Sequence, residues 1–225
     1  MPVYLDHLPQ VQAFFNRQYA AHERYWWRGE NRYSTDVGMH TSFHATLLST
    51  AALRGPGMAL DLGAGEGADA IRLAKLGYQV DAIDVSAVAC EKIARFARSQ
   101  GVRVAVRNEP METARLPRAA YDLILMNGCL HYVCDKTHVL QRVLAASTAD
   151  AVHTVALFST VTPVPAEHAA VPVFPDSEDG IVEGFYQDWT ILLRAREHAQ
   201  REHSHPGFAP HVHSYIKLIA ARTTS

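Results

Sequence analysis

Cysteine, excess charge and long apolar runs are all scarce in this chain of 225 residues. The three cysteines, Cys90, Cys129 and Cys134, are odd in number and show no CxxC spacing, so neither a disulfide framework nor a thiolate zinc site is expected. A formal net charge of -2 offers no general attraction to nucleic acid or anionic lipid, which leaves a small-molecule substrate as the expected partner. No apolar run approaches the roughly 20 residues that span a bilayer. The opening "MPVYLDHLPQ" lacks the basic and apolar regions of a signal peptide, so a cytoplasmic protein is expected. Internal repeats and low-complexity tracts are missing, and so is any Ser/His/Asp or paired-carboxylate signature. Nothing in the pattern reports an oligomeric state.

What is present is an ordinary folded composition, 48% hydrophobic and 20% charged, long enough for one α/β domain with a short appendage. Leu8, Val11, Phe15, Tyr19, His22 and Trp26 recur at steps of three and four, which predicts a helix over 8–28. A second is predicted over 40–53. From residue 57 the pattern becomes strand, glycine turn, helix, strand, helix, then strands near 102–107, at "YDLILMN" and at "AVHTVALFS", with a helix over 136–148 between the last two. Prolines 163, 165, 172 and 175 predict a surface loop over 162–180. "WTILLRAREH" and "VHSYIKLIAA" read as a closing pair of strands. The expected fold is α/β: a doubly wound, Rossmann-like sheet of seven strands, mostly parallel, with a C-terminal antiparallel hairpin. Residues 1–55 would form a helical N-terminal lid and 56–225 the ligand-binding domain.

In "ALDLGAGEGADA" an apolar strand runs through Asp61 into Gly63, Gly65 and Gly67, and a helix starts at once. Glycines there let the chain turn tightly and let a ligand approach the backbone. Asp84 closes the next strand, 21 positions after Gly63, where a carboxylate accepts hydrogen bonds from ribose hydroxyls. A dinucleotide fingerprint reads GxGxxG, and NAD is the alternative cofactor. The even GxGxG spacing, with Asp61 placing negative charge beside a ligand amine and sulfonium, favours S-adenosylmethionine.

These residues resemble the class I S-adenosylmethionine-dependent methyltransferases, whose first motif is similar to "LDLGAGEG". The resemblance spans about residues 56–160. It implies that Gly63, Ala64 and Gly65 pass beneath the methionine part, that Asp84 holds the ribose and that Val85 flanks the adenine. "PMETARLP" is similar to the family's acid-containing loop, which puts Glu112 on the adenine amino group with Met111 beside the ring; Asn108 or Glu109 takes that place under another alignment. "LILMNGCLHYV" resembles the fourth-strand motif, with Asn127, Gly128 and Cys129 near the cofactor's sulfur and His131 facing substrate. His131 reads equally as a cap or core histidine, and Cys129 as a small buried residue rather than a nucleophile. The end of the chain looks like the final hairpin of the tellurite-resistance-type methyltransferases.

The implied reaction is an in-line displacement at a methyl group, which needs alignment and desolvation more than acid-base chemistry. A thiol, amine, oxygen or chalcogen nucleophile would serve. The segment "HERYWWRGENRY" supplies Tyr25, Trp26, Trp27, Arg28 and Tyr33 as lid and substrate residues, with aromatic faces to shield a cation and Arg28 to hold a carboxylate. Tyr25 and His131 are the catalytic candidates, while Trp26 reads alternatively as an anchor for the helix. Proteins of the same fold that consume the cofactor by lyase or cyclase chemistry remain a second reading.

"REHSHPGFAPHVHSY" is dense in histidine. Strand alternation puts Val212, Ile216, Leu218 and Ala220 on a core face and His211, His213, Tyr215 and Lys217 on the other, with His198 across from them. No carboxylate or cysteine joins them at motif spacing. The expected reading is a solvated hairpin tip at the far edge of the sheet, with a soft-metal site on His198, His211 and His213 as the alternative, and no metal ligand is assigned.

Overall fold

Strand β1 (Met58–Leu62) begins a sheet whose spatial order is β3-β2-β1-β4-β5-β7-β6 in the computed structural model, which describes residues 5–25, 41–202 and 210–222. The strands are β2 (Gln79–Asp84), β3 (Ala105–Asn108), β4 (Tyr121–Asn127), β5 (Ser147–Phe158), β6 (Thr190–Glu202) and β7 (His211–Ala221). β1 to β5 run parallel, and β7 inserts antiparallel between β5 and β6. The expected seven-stranded doubly wound sheet with its antiparallel hairpin is therefore the observed one.

Because side chains alternate across a strand, the central strands feed two separate cores. Leu60, Leu62, Ile124 and Met126 pack on one face against α5 (Lys136–Ala146) and α6 (Ile181–Phe185). Ala59, Leu123 and Leu125 pack on the other against α2 (Thr41–Arg54), α3 (Ala68–Lys75) and Ile93 of α4 (Ala87–Ser99). Helix starts are set locally: Ser86 Oγ accepts from Ala89 N–H at α4, and Asp135 accepts from His138 N–H at α5. The helix α2, inside the predicted lid segment, contributes Phe43, Leu47 and Ala51 to the second core.

Three expectations change. The first predicted helix is α1 (Leu8–Ala21), since His22 is already extended. The proline-bearing stretch is a loop that lies only partly on the surface: Val171 packs with α1, and Asp176 accepts the backbone N–H groups of Ile181 and Val182 to start α6, a short helix the sequence pattern did not disclose. The hairpin is not a solvated tip at the sheet edge. β7 is an interior strand whose His211, His213, Tyr215 and Lys217 are all buried, because β6 forms the edge and the turn Ala166–Ala170 brings His168 beside His211 and His213. His198 sits in a register shift of β6 and pairs with Glu178.

Candidate functional site

The site lies at the carboxyl ends of the parallel strands, where β1 and β4 feed their glycine turns. Gly63 has a φ of +65°, and a Cβ there would stand 2.3 Å from Cys129 Cβ, so both backbone conformation and space demand glycine. Its N–H and that of Ala64 donate to Ile83 O, locking the turn to β2. One carboxylate oxygen of Asp84 accepts from Gly65 N–H at 2.8 Å and the other from Ser86 N–H at 2.8 Å. Burial nevertheless raises the Asp84 carboxyl to about 6, the two backbone donors pulling the other way.

Asp61 is buried beneath the turn, and burial followed by repulsion from Asp69 and Asp84 raises its carboxyl well above the usual range. Its Oδ2 has no hydrogen-bond partner among the described residues. Burial alone would also raise Asp69, but His44, Arg72 and Asn127 hold it below its ordinary value. Asn127 donates to Asp69 and accepts from Thr154 Oγ1, so this predicted cofactor residue braces the turn from below. His44, Asp69 and Thr154 carried no motif signal in the sequence.

A cavity opens beside these groups. Gly63, Asp84, Val85, Met111, Glu112, Gly128 and Cys129 line it, seven of the eleven predicted cofactor positions. The loop carrying Met111 and Glu112 is gripped by α5: Arg142 donates to Met111 O and Ala114 O, and His138 donates to Glu112 O. Of the competing positions, Asn108 is occupied in donating to Asp84 O and Val85 O, and Glu109 is exposed near Arg107. Burial raises the Glu112 carboxyl, and burial together with the nearby carboxylates keeps Cys129 a thiol.

The roof of the cavity is α1, through Leu8, Val11, Phe15 and Tyr19. Gln12 donates to Val85 O, Ser86 donates to Asn16, and His7 donates to Tyr132 O, so the helix is fastened on both sides of the opening. This helix lies within the segment 1–55 expected as a lid, and its apolar face was visible in its spacing, but the ligand-facing aromatics were expected further along, at Tyr25 to Tyr33. Tyr25 is buried against Tyr19, and its N–H donates to Glu66, which forms a buried ion pair with Lys92. Trp26, Trp27, Arg28 and Tyr33 lie outside the described residues.

His131 does not line the cavity; its neighbour Tyr132 does. The His131 ring stacks on Phe158 at 3.8 Å between centroids, and burial holds the imidazole well below its ordinary pKa, hence neutral.

The profile of a methyltransferase domain matches residues 59–162. The chain is 32% identical over 106 residues to an uncharacterised methyltransferase of Mycobacterium tuberculosis, 46% of this chain and 51% of that one. Residues 59–162, just under half of the chain, thus resemble a methyltransferase domain. The chain spans about half the length of the curated relatives it matches. Among solved structures, the 1,6-didemethyltoxoflavin-N1-methyltransferase of Burkholderia thailandensis superposes with a TM-score of 0.69 at 20% identity, over 100% of this chain and 92% of that one. TehB of Haemophilus influenzae gives 0.68 at 16%, over 84% and 65%. These two likenesses concern the fold.

S-adenosylmethionine is the cofactor of such a methyltransferase domain, and the residues fit it. Asp84 offers free lone pairs to a diol and Gly63 leaves backbone where a side chain would intrude, while the orphaned Asp61 oxygen lies buried and does not line the cavity. When bound, the group supplies an activated methyl on a sulfonium.

Proposed function

We propose that the whole protein transfers a methyl group from S-adenosylmethionine to a small-molecule nucleophile by in-line displacement. The observation that carries this reading is the single cavity joining Gly63, Asp84, Met111, Glu112 and Cys129 beneath an anchored helical roof. A roof fastened by Gln12, Ser86 and His7 favours an acceptor small enough to lie under it. The toxoflavin methyltransferase structure, which holds 1,6-didemethyltoxoflavin with S-adenosylhomocysteine, is in keeping with that scale. Phe15, Tyr19 and Tyr132 give the wall aromatic faces for a cation, about 0.5 to 2 kcal/mol each where desolvated.

The chain's own work is then to orient and to exclude water. Asp84 and Glu112 fix the two ends of the nucleoside, and α1 closes the cavity. Alignment of this kind supplies on the order of 7 to 11 kcal/mol in favourable cases, so no acid-base pair is needed for an acceptor that is already nucleophilic. Neutral His131 is one aromatic layer away and serves as a base only for acceptors that reach past Tyr132.

The test is incubation with methyl-labelled S-adenosylmethionine and pools of thiols, amines and hydroxylated metabolites, followed by mass analysis. Acceptor-dependent S-adenosylhomocysteine is expected. Methylthioadenosine formed without an acceptor would replace this reading with lyase or cyclase chemistry, and tight NAD binding without S-adenosylhomocysteine binding would overturn both.

A further inference from the structure

His168, His211 and His213 come from two segments more than 40 residues apart, and each offers a ring nitrogen within 4.8 Å of the other two. We propose that these three imidazoles form a binding site for one divalent transition-metal cation of the zinc type. His168 Nε2 and His213 Nε2 stand 3.0 Å apart. Two nitrogens sharing a tetrahedral zinc at about 2.0 to 2.1 Å are about 3.4 Å apart, so a slight dilation admits the ion. All three residues are buried, at 4%, 7% and 3% exposure, which removes them from the class of loose surface histidines.

The donor set decides the chemistry. Three nitrogens, with no carboxylate in the cluster among the described residues, suit zinc, nickel, cobalt or copper rather than calcium and magnesium, which prefer oxygen. The backing is rigid and apolar: Phe158 stacks on His213 at 3.9 Å between centroids and 10° between planes, and meets His168 edge-on. A hydrophobic shell of this kind limits water access and sharpens affinity. Three protein ligands also leave a fourth position, which takes water or a donor atom of a small molecule.

Phe158 ends β5 and His211 begins the antiparallel β7, so the cluster lies at the same edge of the sheet as the cofactor cavity. His131, Phe158 and His213 form one continuous ring stack. Through that stack the cluster borders His131, whose ring lies against Tyr132 of the cavity wall. None of the three histidines lines the cofactor cavity, so the inference stands apart from the transferase reading.

The test uses full-length, tag-free protein stripped by chelator and titrated with zinc chloride calorimetrically, with cobalt absorption as a second readout. One ion per chain is expected, with a tetrahedral cobalt spectrum. His168→Gln and His211→Gln should each weaken zinc by about 100-fold or more, while His198→Gln, at the sheet edge, leaves it unchanged. Circular dichroism and S-adenosylhomocysteine titration of each variant report whether the fold survives; a misfolded variant is set aside for the other. Absence of a stoichiometric site, or zinc affinity untouched in a folded His168→Gln or His211→Gln protein, overturns the proposal. Failure to bind S-adenosylhomocysteine would instead sink the transferase reading and leave the zinc result standing.

Discussion

The cofactor end of the site and its histidine end, both at the carboxyl edge of the sheet, are built by opposite strategies. At the first, a short contiguous stretch from β1 to the end of β2 buries carboxylates and satisfies Asp84 with backbone N–H groups. At the second, residues 131, 158, 168, 211 and 213 arrive from four places in the chain and pack their rings against one another. The first end depends on backbone shape at a few glycines and is sensitive to charge. The second depends on stacking, and is sensitive to anything that changes the packing of β5 against β7.

The largest effect that would sharpen this contrast is expected from Lys92→Met. It removes the ammonium that pairs with Glu66, which is 2% exposed and also holds Tyr25 N–H. A loss of about 3 to 5 kcal/mol in denaturant unfolding is expected. Arg54→Ala, which breaks a pair with the exposed Asp150, should cost no more than about 1 kcal/mol. Gly63→Ala comes next: the left-handed φ and the Cys129 collision together predict about 2 to 5 kcal/mol of destabilisation and no measurable S-adenosylhomocysteine binding. A stable Gly63→Ala protein with intact affinity would break the claim that backbone shape governs this end.

Asp84→Asn should weaken S-adenosylhomocysteine by about 10- to 100-fold, since one lone-pair acceptor becomes a donor. The wild type should show a related pH effect. The ionised carboxylate accepts the ribose, and the free protein takes up a proton at about 6, so affinity falls as pH drops through 6 and the Asn variant loses that dependence. Burial shifts a second group the other way, raising the Asp84 carboxyl but lowering the His153 imidazole. His153, on β5, is fully buried between Ser147 Oγ and the Tyr186 hydroxyl, and burial lowers it to about 3. Its contribution to stability is present above the unfolded value near 6.5 and is lost as pH falls toward 3, by about 1.4 kcal/mol per pH unit. Acid titration of unfolding in His153→Gln should show a shallower slope by that amount.

The smallest effect is a discrimination. Glu112→Gln should lower S-adenosylhomocysteine affinity about tenfold, as a charged acceptor on the cavity wall becomes neutral, while Glu109→Gln leaves it unchanged. The reverse result would move the adenine contact to the competing alignment.

Much of the first end was legible because its information is local. "LDLGAGEG" carries its own turn chemistry, and Asp84 is reached by counting one strand and one helix. The choice among Asn108, Glu109 and Glu112 was not legible, since it depends on Arg142 and His138 of α5 holding the loop. The aromatic roof was half legible: the spacing of Leu8, Val11, Phe15 and Tyr19 showed a face, but nothing in it said that the face covers a cavity. The histidine end was misjudged for a physical reason. Alternation along a strand tells which residues share a face and cannot tell whether another segment covers it, and here Ala166–Ala170 does.

The amino-acid sequence alone therefore determined the sheet, its strands and the helices other than α6, and the glycine turn, because those rest on periodicity and glycine geometry within a few residues. Tertiary structure alone decided that α1 is the roof, that Glu66 and Lys92 anchor Tyr25, and that His168 meets His211 and His213. Each of those contacts joins residues more than 20 positions apart, and only the packed chain brings such distant side chains within reach.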